Sequence, residues 1–139
     1  MKPQNEIEEG SVLKLDFGKL DSVCGCVPVA IQHAVTGEVL LIAYTNEEAM
    51  REAFRTRGLV LWSTSRNGLW VKGATSGCRF DLVEAYVNCE QNSLLYRVLP
   101  SEGGAAPGIC HTGNSKGEPR NCFYRKIDFD TGSLKNVDP

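Results

Sequence analysis

The chain has 139 residues, 42% of them hydrophobic and 23% charged, a size and balance that fit one globular domain and leave no room for a second catalytic one. Fifteen Lys and Arg stand against seventeen Asp and Glu, a net charge of −2. That excludes the basic footprint that holds duplex nucleic acid, while a small phosphorylated ligand needs only a few converging donors.

The first twenty residues and the last dozen read as loosely held ends, so an N-terminal extension over 1–20, a domain over 21–127 and a tail over 128–139 are expected. Alternation in VPVAIQ, from Val27 to Gln32, predicts a strand. The break at Thr36-Gly37 before EVLLIAY makes it the first arm of a β-hairpin. The second arm is apolar on both faces and should be central. Thr45 followed by Glu48 has the form of a capping box, Ala49, Met50, Ala53 and Phe54 share one helical face, and Gly58 suits the position that ends such a helix. LVLWS and LWVK follow as short strands around an Asn67-Gly68 turn, then extended runs over Arg79 to Asn88 and Ser93 to Leu99. Pro100 to Asn121 holds five glycines and three prolines and reads as a long loop, a form usually kept for function. About six strands and one main helix make an α+β fold built mostly on antiparallel sheet.

The six cysteines, about 4% of the chain, fall short of the roughly 8–10% of a disulfide scaffold. MKPQNEIEEG lacks the apolar stretch of a secretory signal, and the longest apolar run, Val39 to Tyr44, is far below the roughly 20 residues that span a bilayer. A cytoplasmic, reduced protein without a membrane partner is the expectation, its thiols serving as metal ligands, nucleophiles or core residues. With two histidines, a metal site must lean on cysteine. Cys110-His111-Thr112-Gly113 lies in the glycine-rich segment, with Cys122 beyond it and Cys89 at the end of a strand. No spacing among them matches a zinc knuckle, which leaves metal ligands and buried structural thiols both open.

Linked motifs go further. Trp62-Ser63-Thr64-Ser65-Arg66, then Leu69-Trp70-Val71-Lys72-Gly73-Ala74-Thr75-Ser76-Gly77, Cys89, Cys110-His111-Thr112-Gly113 and Cys122-Phe123-Tyr124-Arg125 occur in the order of the phosphoribosyl-AMP cyclohydrolase family, which the chain resembles from about Asp21 to Ile127. The resemblance implies hydrolytic opening of the adenine ring of N1-(5-phosphoribosyl)-AMP between N1 and C6, the third step of histidine biosynthesis, by a zinc-bound water attacking C6. It also implies a homodimer with active sites shared between subunits. Carried over, the zinc ligands are Cys89, Cys110 and Cys122, an open three-thiolate set of the kind that leaves a position for water. His111 is then the candidate catalytic base. Trp62, Ser65, Arg66, Trp70, Lys72, Thr75, Ser76 and Thr112 become the candidate substrate contacts. For both tryptophans core packing is the competing reading, and for Arg66 and Lys72 a solvated strand face.

Three departures stand out. Where the family has an Asp-Cys-Asp-x-Asp magnesium motif, this chain has Asn88-Cys89-Glu90-Gln91-Asn92, a degenerate site in which Asn88, Glu90 and Asn92 should hold Mg2+ weakly. The link from Asn114 to Asn121 is longer than the family's by about five residues, an addition whose closure cost is small. Cys24, Cys26 and Cys78 fall outside the pattern and read as ordinary small residues, and His33 as surface decoration. Two other functions remain open: a divergent member acting on another purine-like nucleotide, and a non-catalytic zinc-stabilised module in which Cys78 or His111 supplies a fourth ligand. A nucleobase deaminase is set aside, because neither histidine begins an H-x-E motif and no P-C-x-x-C occurs.

Overall fold

Strand β1 (Val27–His33) turns into β2 (Val39–Thr45) as the expected antiparallel hairpin. The computed structural model describes residues 7–18, 25–73, 79–101, 109–110, 112–118 and 120–139. Helix α1 (Glu47–Thr56) follows, then β3 (Val60–Ser63), β4 (Gly68–Val71), β5 (Phe80–Val87), β6 (Leu94–Pro100), β7 (Arg125–Ile127) and β8 (Leu134–Asn136). The first six strands form one sheet in the order β4-β3-β2-β1-β6-β5, with β2 internal as its composition predicts. One pair departs from the antiparallel expectation: β6 runs parallel to β1, with Val29 opposite Leu94 and Ile31 opposite Tyr96. Parallel neighbours need a long crossover, and here everything from β2 to β5 supplies it.

Helix α1 starts one residue later than the Thr45 cap predicted from sequence. The Asn46 side-chain oxygen accepts from the Ala49 N–H at 2.9 Å, while Thr45 is fully buried as the last residue of β2. Both types cap helices, and the strand has claimed the first. At the other end Arg57, at φ 58°, is the left-handed residue and donates to the Ala53 carbonyl, in place of the predicted Gly58. Gly58 is instead drawn into a bridge with Asp81, beside a bond from the Leu59 N–H to the Phe80 carbonyl. These bonds bring the chain leaving α1 against β5 and curl the sheet around its core. That core holds Val29, Ile31, Leu41, Ala43, Leu61, Tyr96 and Val98, with Ala49, Met50 and Ala53 of α1.

The opposite face of the sheet is apolar and partly exposed. Register sets Tyr86, Leu95, Ala30 and Ile42 in one row across β5, β6, β1 and β2, and Pro28, Tyr44, Trp62 and Leu69 in a second across β1 to β4. Ile42 remains 56% exposed and Tyr86 53%. A polar row, Gln32, Arg97 and Glu84, borders them, with Arg97 donating to Glu84 at 3.2 Å. The apolar character of both faces of β2 is thus only half used within one chain.

Both ends are better held than their composition suggests. Residues 7–9 are helical, Leu15 and Phe17 pack against the core, and β7 pairs with β8 to make a C-terminal hairpin. His33 is buried rather than decorative, its Nδ1 accepting from the Val35 and Thr36 N–H groups at 3.1 Å each, which fixes the first turn. Cys26, buried at the foot of β1, is disulfide-bonded, against the expectation of an ordinary reduced thiol. Cys24 and Cys78 lie outside the described residues. Among the described residues no helix is long and apolar enough to cross a membrane.

Candidate active site

Cys110 and Cys122 are brought together by the loop that the glycines and prolines predict. The Cys110 N–H donates to the Arg120 carbonyl at 2.8 Å, and the Cys122 N–H to the Leu40 carbonyl at 3.1 Å, docking both on the start of β2. Asn121 fixes the dock by donating to the Glu38 carboxylate and the Val39 carbonyl at 2.7 Å each. The longer link is a tight turn closed on Asn114, whose side-chain oxygen accepts from the Lys116 and Glu118 N–H groups and whose amide donates to Asp138 at 3.1 Å. It returns the chain so that the Arg120 Nε donates to the Thr112 hydroxyl at 3.2 Å, with the guanidinium 3.6 Å above the Tyr124 ring.

The surroundings treat the two thiols unequally. Burial opposes ionisation of Cys110, but hydrogen bonds from the Thr112 hydroxyl and N–H and from Cys122, with the charge of Arg120, outweigh it and hold this thiol below its ordinary pKa. The Thr112 hydroxyl lies 3.0 Å from the Cys110 sulfur. Cys122 is pushed up by burial and then by the charge of Cys110, with Lys72 pulling the other way. Two neighbouring thiols with one poised to ionise, and cations at hand, are a donor set that suits a soft, thiophilic dication.

Cys89 is elsewhere. It is exposed in the turn joining β5 to β6, beyond the Val87–Leu94 pair, and Leu94 is opposite Val29 near the beginning of β1. Cys122 docks at Leu40, alongside the other end of β1. At about 3.3 Å per residue the two levels are on the order of 15 Å apart along the strands, with further strand spacings across. Zinc–sulfur bonds of about 2.3 Å require sulfurs within roughly 4 Å of one another. The three thiols of one chain therefore do not meet, and among the described residues no group of three His, Cys, Asp or Glu is arranged to hold a metal.

The residues flanking Cys89 do not fit magnesium. The Asn88 side-chain oxygen accepts from the Asn92 and Ser93 N–H groups at 2.9 and 3.0 Å. Its amide donates to the Asn92 side-chain oxygen at 2.6 Å, and the Asn92 amide donates to Glu90 at 3.2 Å. Both amide oxygens are engaged within the turn and one carboxylate remains, where a hard octahedral cation prefers carboxylates and water.

The other candidate contacts divide. Pairing sets Trp70 opposite Leu61 and Trp62 opposite Leu69, so the tryptophans sit on opposite faces of the β3–β4 hairpin and do not form one wall within a chain. Both are partly buried and pack on the core, as the competing reading holds. The Lys72 Nζ lies 5.8 Å from the Trp70 ring and acts on Cys122, which joins this pair to the thiols. Ser65 and Arg66 are exposed in the β3–β4 turn, tied to Ser63 by a 3.3 Å hydroxyl contact and a 3.2 Å bond from the Arg66 N–H. Asn67 at φ 51° turns the chain there. Thr75, Ser76 and His111 lie outside the described residues. Two structurally engaged residues carry no signal in the sequence: Arg120, inside the extra link and bonded to Thr112, and Gln91 beside Cys89, which is 3% exposed. Neither type in a loop carries a local signal of its role.

The family model for phosphoribosyl-AMP cyclohydrolase matches residues 41–124. A phosphoribosyl-AMP cyclohydrolase of Bradyrhizobium diazoefficiens is 39% identical over 133 residues, covering 96% of this chain and 85% of that protein. One from Archaeoglobus fulgidus is 42% identical over 106 residues, 76% of this chain and 89% of its own. The histidine biosynthesis bifunctional protein HisIE of Thermus thermophilus is 47% identical over 103 residues, 74% of this chain, which spans only 44% of that longer protein.

Proposed function

Because the chain belongs to the phosphoribosyl-AMP cyclohydrolase family, we propose that it opens the adenine ring of N1-(5-phosphoribosyl)-AMP by hydrolysis between N1 and C6, within histidine biosynthesis in the cytoplasm. The observation that carries the reading is the split of its thiols, Cys110 and Cys122 paired at one end of the sheet and Cys89 held at the other. Such an arrangement is completed by a second copy, with Cys89 of one chain meeting Cys110 and Cys122 of the other. The apolar rows through Ile42 and Tyr44, exposed at Ile42, Tyr44, Leu69 and Tyr86 and rimmed by Arg97 and Glu84, have the anatomy of a dimer interface and support that assembly.

The chemistry that zinc supplies in an open three-thiolate set is Lewis-acid activation of water. The chain's own residues do the rest. Thr112 and Arg120 favour the ionised form of Cys110, the form that binds a metal. His111, next in sequence to Cys110, takes the proton from the attacking water and returns one to the departing ring nitrogen. Lys72 with Trp70, and Ser65, Arg66, Thr75 and Ser76, orient the phosphates and ribose.

A second reading, a related purine-like nucleotide as substrate, is favoured by one observation, the ordered 114–118 turn that carries Arg120 to the thiols. A zinc count per chain together with a turnover assay on phosphoribosyl-AMP decides between them. Ring opening that disappears with a chelator and returns with zinc is the expected result. Full zinc occupancy without ring opening supports the second reading, and ring opening in metal-free protein overturns the zinc assignment.

A further inference from the structure

The turn at Asn88–Asn92 does its work in a different direction from the one the family likeness implies. Gln91 at its apex is 3% exposed, with a left-handed φ of 53°, a conformation glutamine seldom adopts. Its side-chain amide donates to the Ile7 carbonyl at 3.2 Å and the Val12 carbonyl at 3.0 Å. Its side-chain oxygen accepts from the Lys14 N–H, and its backbone carbonyl from the Asp16 N–H at 2.8 Å. Both donors and the acceptor of a buried amide are thereby satisfied by main chain more than seventy positions away in sequence. Leu15 and Phe17, just beyond, lay the same arm on the core. Beneath Gln91, Asn88 and Asn92 close the turn with amide bonds that need no ion.

We propose that residues 88–92 are a cation-independent clasp, in which Gln91 fixes the N-terminal arm over residues 7–16 and two asparagines replace the bridging that a divalent ion would give. A cation brings repelling carboxylates together; here the carboxylates are reduced to Glu90, and neutral amides bond to one another directly. The turn bearing Cys89 is then held by the arm, a segment distant in sequence, and not by magnesium. The clasp stands independently of the zinc reading, because its bonds lie within one chain and none involves a thiol.

Hydrogen–deuterium exchange of the full-length protein tests it. The Lys14 and Asp16 amides should be protected to the same degree with millimolar magnesium and with a chelator. Gln91→Gly removes the side-chain bonds while suiting the left-handed backbone, and should speed exchange at Lys14 by about tenfold or more, with β6 amides unchanged. Lys14→Pro removes one donor from the arm side and leaves the turn intact, so it should loosen the arm even if the glycine variant folds poorly. Manganese(II), read by electron paramagnetic resonance, should show no saturable site that Glu90→Gln abolishes. Magnesium-dependent protection of the arm, a manganese site lost in Glu90→Gln, or unchanged arm exchange in both clasp variants would each overturn the proposal.

Discussion

Two turns of this molecule carry the thiols of the proposed centre, and they are built on opposite principles. The Cys110–Cys122 loop gathers cations, with Arg120 and Lys72 acting on the thiols and Thr112 bonded to one of them. The Cys89 turn gathers neutral amides, and its sulfur is exposed. The first lowers the pKa of one thiol and the second holds a shape. Their separation along the sheet is what the proposed two-chain site accounts for, and the exposed apolar residues on the outer face of β2 are the surface that proposal assigns to the second copy.

The comparison can be broken at its strongest point first. Cys110→Ser removes the thiol held below its ordinary pKa, and should lower zinc-dependent turnover by about a thousandfold or more, measured beside zinc content. Ile42→Glu, in the middle of the exposed row, plants a charge where two copies are expected to meet. It should shift the protein to monomers by sedimentation and reduce turnover on the order of a hundredfold at dilute concentrations, with the secondary structure intact. A variant that stays dimeric would detach the apolar face from the site. Arg120→Met, which loses the bond to Thr112 but keeps apolar contact with Tyr124, should speed zinc release to a chelator about tenfold. An unchanged rate would detach Arg120 from the Cys110 environment.

Much of this could be read along the chain and some could not. Strands β1 to β6 and helix α1 follow from local alternation and helical periodicity, because each buries one face on the same core. The helix cap was misplaced by a single residue, since Thr45 and Asn46 both carry a capping oxygen and only tertiary burial decides which is free. The parallel pairing of β1 with β6 has no local signature, as it depends on where a long crossover returns. The proposed thiol set came from resemblance, not spacing, because Cys110 and Cys122 are brought together only by the fold and Cys89 lies apart from them in one chain. Gln91 and Arg120 were silent for the same reason, each acting on main chain or side chains that only folding brings near.

Coexpression of Cys89→Ser with Cys110→Ser chains tests the shared centre most directly. Each variant alone should be inactive. In a mixed dimer one site takes Cys89 from the Cys110→Ser chain and both other thiols from the Cys89→Ser chain, so it is whole, and random pairing should restore about a quarter of wild-type activity. No recovery in a sample shown to contain mixed dimers would contradict a site built from two chains.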